Sequence, residues 1–150
     1  MNLLIPPPVV VALAAAAMWG MDRAIDAPGL PEGLRAPLAI ALAAGAASLM
    51  AAALVTMVRA KTTFNPLKPE TSARLVTHGV FRFSRNPIYL ADLLLLVAFV
   101  AWLGNPSTLL VLPLFVLYLG RFQIRPEEDA LEKRFGEEFR AYCARVRRWL

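Results

Sequence analysis

Two short segments hold the residues that could do chemistry. The first is "HGVFRFSRNPIYLAD", His78 to Asp92, and the second is "RFQIRPEED", Arg121 to Asp129. In the first, Pro87 suits a first helical position, which leaves Asn86 or Ser84 as the cap. The helix start is then a set of free backbone N–H groups with Arg82 and Arg85 beside it, an arrangement that attracts anions. Tyr89 and Asp92 are three apart and share a helix face, so a phenol and a carboxylate look in one direction. In the second segment, Glu127 and Glu128 stand next to Arg121 and Arg125. Arginines for an anion and carboxylates for a cation or hydroxyls, held at one depth, suit a zwitterionic ligand. His78, the single histidine, precedes Gly79 in the loop that feeds the first segment.

Each feature also has a plainer explanation. Helix capping and a bias of basic residues toward one membrane face account for the arginines. A salt bridge from Asp92 to Arg59 or Arg121 accounts for an acid inside an apolar run, where an isolated charge is costly. Glu127 and Glu128 also suit the first turn of a surface helix, and a loop histidine is often merely exposed.

The elements that must position these residues are apolar. The chain has 150 residues, of which 58% are hydrophobic and only 18% charged. A soluble domain carries more charge, so the class is integral membrane protein. This length leaves no room for a separate catalytic module. Cys143 is the sole cysteine; it closes no disulfide within the chain, gives no metal-ligand pattern and fits a reducing, cytoplasmic setting.

A membrane helix needs about 20 largely apolar residues. The expected spans are 8–25, led in by Pro6, Pro7 and Pro8; 37–58, beginning at Pro37; 87–103; and 106–121, with a kink near Pro113. Four spans put both ends of the chain on one side. Between Arg59 and Arg85 six basic residues face Glu70 alone, and from Arg121 onward there are eight basic residues and six acids, whereas Gly104 to Ser107 carries no charge. The positive-inside rule therefore places the second loop and the tail in the cytoplasm. A cleaved signal peptide would mimic the first span, but no Lys or Arg precedes it. In the tail, 122–150, Pro126 opens a helix, and Leu131, Phe135, Phe139, Tyr142, Val146 and Trp149 recur at threes and fours. The pattern predicts an amphipathic helix on the inner membrane face, bent at Gly136. The fold class is thus all-α: a polytopic membrane protein with four spans and an amphipathic cytoplasmic helix.

No glycine-rich nucleotide loop, paired cysteines or H-E-x-x-H motif occurs, which argues against soluble nucleotide-binding architecture and against a metal. The basic patches lack aromatic interleaving and sit at membrane ends, so anionic lipid is a simpler partner than nucleic acid. The Ala- and Gly-rich second span suits close packing on its own copy, in an oligomer, or on the other helices.

With these residues set out, the chain resembles the isoprenylcysteine carboxyl methyltransferase and phospholipid methyltransferase superfamily of membrane enzymes. The likeness covers roughly residues 61–149. It rests on "LVTHGVFRFSRNPIYLADLLL", similar to the family's G-P-Y-R-x-x-R-H-P-x-Y-x-G, and on "RPEEDALEKRFGEEFRAYCARVRRW", similar to E-E-x-x-L-x-x-x-F-G-x-x-Y-x-x-Y. The resemblance implies a cytoplasm-facing pocket for S-adenosylmethionine. By position it assigns His78, Gly79, Arg85, Asn86, Pro87, Tyr89 and Leu90 to one cofactor motif and Arg125, Pro126, Glu127 and Glu128 to the other. It departs at Asn86, where the family has histidine and which carries no proton, and at Ala91, where glycine is common. Methyl transfer asks mainly for alignment and a site tolerant of charge loss. Arg82 or Arg121 is expected to orient an anionic acceptor, and Glu128 or Asp92 the cofactor or an amine. The acceptor is lipophilic or membrane-associated and bears a carboxylate, amine or thiol. The rival readings are a small transporter or assembly protein and a nicotinamide-dependent membrane reductase.

Overall fold

A computed structural model describes residues 5–60 and 74–150. Residues 61–73, which hold much of the basic second loop, lie outside the described residues. Among the described residues every regular element is helical: α1 Pro7–Ala24, α2 Glu32–Arg59, a 3₁₀ turn Gly79–Arg82, α3 Pro87–Leu103, a 3₁₀ turn Pro106–Leu110, α4 Val111–Leu119, a π turn Gly120–Ile124, α5 Arg125–Phe135 and α6 Glu137–Arg145.

Proline and glycine set most of the boundaries. Pro7 and Pro87 occupy first helical positions, where a missing N–H costs nothing. Gly104 ends α3 in the left-handed region at φ 73°, its N–H donating to the Val100 carbonyl. The second expected span, 37–58, lies inside a longer helix: α2 begins after Pro31 with Glu32 in its first turn, and Pro37 lies within it. The N–H that Pro37 lacks would have met the carbonyl of Gly33, an exposed residue near the helix start, so the loss is tolerated there.

The expected break between the fourth span and the tail is also absent. From Pro106 to Phe135 the chain is one helical run of 30 residues. Its irregularity is the π turn, in which the Arg125 N–H reaches back five residues to the Gly120 carbonyl. Pro126 follows directly and has no N–H to continue the regular ladder, so the loosened turn falls where the ladder is interrupted anyway. Among the described residues two helices are long and apolar enough to cross a membrane, α2 and this long run; α3, at 17 residues, is apolar but shorter. Helix α1 carries Asp22 and Arg23 near its end.

Helices α1 and α3 run in the same direction, with α2 and α4 running against them. At one end the loop after α1 is tied to the loop after α3: the Leu30 N–H donates to the Gly104 carbonyl at 2.9 Å, and Asn105 Nδ2 to the Ile25 carbonyl at 2.7 Å. At the other end Gln123 Nε2 donates to the Ile5 carbonyl at 2.6 Å. Gly79, at φ 60°, turns so close to α2 that an added Cβ would lie 2.7 Å from Thr56 Oγ1.

The core joins α1, α3 and α4 through Val10, Met18, Leu96, Val100, Phe115 and Leu119. Helix α2 packs on α3 through buried Ala39, Ala46 and Ala53, one small residue every two turns. The opposite surfaces expose Leu13, Ile40, Val58, Leu114 and Leu117. So much bare apolar surface suits lipid rather than water.

The tail bends at Gly136, φ 53°, where the sequence places the bend; the turn divides it into α5 and α6, and the chain leaves helical geometry at Val146. Phe139 and Tyr142 are buried within the protein. Their threefold and fourfold spacing reports a buried stripe without saying whether membrane or protein covers it.

Candidate functional site

The candidate site lies where the start of α3, the first turn of α5 and the strap Val146–Leu150 meet. Asn86 is the residue before α3, yet its side chain makes no capping bond. Its Nδ2 donates instead to the Arg148 carbonyl at 2.9 Å, while its own N–H donates to Ser84 Oγ at 3.1 Å. The Arg85 N–H donates to the Arg147 carbonyl at 3.0 Å. The expected open, side-chain-capped helix start is thus laced to a stretch more than 60 residues away.

Below this lacing stand the two adjacent carboxylates. Glu127 is 8% exposed and accepts from Tyr89 Oη at 2.6 Å, with Tyr89 itself 1% exposed. Glu128 faces two guanidiniums. Arg148 forks onto it, Nε to Oε1 at 3.2 Å and Nη2 to Oε2 at 2.5 Å, and Arg85 Nη2 lies 3.2 Å from Oε1. This contact with Glu128 raises the Arg148 pKa above its ordinary value. Arg85 Nη1 donates to Cys143 Sγ, a weak acceptor, and Arg85 Nε is buried with no hydrogen-bond partner. The cluster therefore holds one more positive charge than Glu128 neutralises, beside a buried phenol–carboxylate pair. It has the donors and acceptors to hold a small zwitterion.

Of the residues singled out from the sequence, Arg85, Asn86, Tyr89, Glu127 and Glu128 come together, with Pro87 buried at the helix start beside them. Leu90 and Pro126 are half-buried, and His78, Gly79, Arg82, Arg121 and Arg125 are exposed. Asp92 is half-buried, and no ion pair joins it to Arg59 or Arg121 among the described residues. Sequence reasoning missed Ser84 as an acceptor for Asn86, Cys143, and above all Arg148. Nothing in "RVRRWL" marks one arginine of the three for Glu128.

Tyr142 locks α6 to the same region, its Oη donating to the Phe81 carbonyl at 2.7 Å. Burial pushes its phenol up to about 12, against the opposing pull of Arg85. The folded protein thus keeps a proton that the unfolded chain releases near 10. This contribution to stability is complete below pH 10 and is lost as pH rises toward 12. Unfolding followed from pH 9 to 12 should show that loss in the native protein and a smaller one in Tyr142→Phe; equal slopes would contradict it.

With this geometry in hand, comparison with known proteins is decisive at the level of family. A model of the phospholipid methyltransferase family matches residues 34–138, which take in all but the first two residues of α2, all of α3, the π turn and both carboxylates. The chain belongs to this family. Over 63 residues, 42% of this chain, it is 48% identical to an uncharacterized protein of Haemophilus influenzae, the whole of which is covered. Over 97 residues, 63% of this chain, it is 35% identical to a probable protein-S-isoprenylcysteine O-methyltransferase from Oryza sativa subsp. indica, and equally to one from subsp. japonica. The chain spans 49% of the length of those rice relatives. No solved structure matches it. Family and fold together make this a membrane protein of the methyltransferase class.

Proposed function

We propose that the protein is an S-adenosylmethionine-dependent methyltransferase acting at the cytoplasmic face of the inner membrane on a lipophilic or membrane-associated acceptor. The observation that carries the reading is the meeting of two segments that lie far apart in the chain, Arg85–Tyr89 and Glu127–Glu128, inside the region matched to the family. In this reading the whole chain works as one unit with four spans, and the basic second loop and tail face the cytoplasm.

The donor set fits the cofactor. Arg85, its Nε buried and unpartnered, offers donors for a carboxylate, and Glu127 with Tyr89 offers acceptors for an ammonium or ribose hydroxyls. When bound, S-adenosylmethionine supplies an electrophilic methyl on a sulfonium. The residues of the chain bind and orient. Exposed Arg82 or Arg121 draws an anionic acceptor to the interface, and Asp92, within the apolar run of α3, is placed to orient an amine. A carboxylate or thiolate acceptor needs no base, whereas an amine must arrive unprotonated.

Calorimetric titration with S-adenosylmethionine and S-adenosylhomocysteine, in detergent and in nanodiscs, tests the reading. Saturable binding that Tyr89→Ala and Glu128→Ala both weaken is the expected result. Absence of binding by folded protein in both media would overturn it, and binding of NADPH in its place would point to the reductase.

A further inference from the structure

The strap brings to the site a residue that the family match does not include, since Arg148 lies beyond residues 34–138, and that no position of the tail's E-E-x-x-L-x-x-x-F-G-x-x-Y-x-x-Y pattern assigns. The unmet hydrogen-bonding capacity here is lopsided. Glu128 accepts a two-point fork from Arg148 and a further contact from Arg85. Both its oxygens are occupied, which leaves it poorly placed to receive a ligand. The guanidiniums are the under-satisfied partners: Arg85 Nε has no acceptor, Arg85 Nη1 has only a thiol, and the pair shares a single negative charge. Buried donors without acceptors are costly, and an anion placed there relieves that cost. Accessibility points the same way, for the Arg148 side chain is 35% exposed against 15% for Arg85. Glu127, one residue before Glu128 along α5, accepts from Tyr89 and supplies the site's other carboxyl group.

We propose that Arg85 and Arg148 form the seat of the cofactor's amino-acid carboxylate, with Glu128 as a positioning residue that holds the two guanidiniums together. This rests on the cofactor assigned above. It changes the role of Glu128, from touching the cofactor to building the site, and it makes the strap a working part of that site.

The test compares two ligands that share adenosine and a thioether. S-adenosylhomocysteine carries the amino-acid group, and 5′-methylthioadenosine lacks it. Arg148→Gln is expected to weaken S-adenosylhomocysteine by about 10- to 100-fold, the usual range for a lost charge-assisted bond, and to leave 5′-methylthioadenosine unchanged. Arg148→Lys keeps the charge without the fork and should show a smaller selective loss; it carries the test if the glutamine variant does not fold. Equal weakening of both ligands would reduce the strap to a structural clamp and overturn the proposal. Unchanged affinity for S-adenosylhomocysteine, or a native protein that prefers neither ligand, would overturn it as well. A native protein that binds neither would instead bring down the cofactor reading, and this inference with it.

Discussion

Tyr89→Phe is expected to cost the protein more stability than Glu127→Gln, and Glu127→Gln to cost more cofactor affinity. The hydroxyl of Tyr89 donates to Glu127 at 2.6 Å in a place where the carboxylate is 8% exposed. Removing it leaves a buried carboxyl oxygen without that donor, a loss of about 1–3 kcal/mol. A glutamine at 127 keeps an oxygen for the phenol, so the packing survives and only the charge goes. If that charge holds the cofactor's ammonium or ribose, affinity should fall about tenfold or more, as for other charge-assisted bonds. Thermal unfolding in detergent and calorimetric titration of both variants separate the effects. Full affinity in Glu127→Gln would assign Glu127 to structure alone.

How much of this arrangement was legible in the sequence depends on what kind of residue wrote it. Local punctuation reads well. Pro87 and Gly104 mark both ends of α3 because their preferred backbone conformations require no partner. Pro37 marks no boundary by the same rule, since a proline near an exposed helix start is tolerated inside as well as at the first position. Apolar spacing found the buried face of the tail but not its cover, and Phe139 and Tyr142 turned out to face protein. The meeting of the two motifs was inferred from the family resemblance, and the individual pairing of Tyr89 with Glu127 was not. Pairings across 38 residues depend on helix rotation, and here on a π turn that shifts the register of everything after Gly120. Arg148 was invisible for a related reason. The strap has no regular structure of its own, and its place is set by Trp149, half-buried against the core, and by backbone carbonyls, which no side-chain pattern announces.

The end of the bundle remote from the site should respond in the opposite way. Gly29 sits against the chain reversal after α3 so closely that an added Cβ would lie 1.6 Å from the Gly104 carbonyl oxygen and 2.8 Å from its carbon. These are backbone atoms, and they have little freedom to move. That oxygen accepts the Leu30 N–H, Leu30 in turn accepts from Arg35 Nε at 2.8 Å, and Arg35 lies flat against Gly104. Gly29→Ala therefore has to part the two loops and disturb these bonds together. Overpacking typically costs 1–3 kcal/mol and each hydrogen bond about 1 kcal/mol, so the loss should be on the order of 2–4 kcal/mol. For a chain of this size that is a fall of roughly 4–16 °C in the apparent unfolding midpoint. Cofactor affinity of the folded fraction at low temperature should be unchanged, because the substitution lies a full helix length from Glu127 and Arg148. Gly104→Ala meets the Arg35 side chain rather than backbone, so it should cost less, about 1 kcal/mol for the strain of a left-handed alanine and about 1 kcal/mol for the displaced Arg35–Leu30 bond. Should Gly29→Ala instead match the native midpoint, the loops cannot approach as described. Should it keep its midpoint and lose affinity, the two ends of the bundle would be coupled, and the division between a structural end and a chemical end would have to be abandoned.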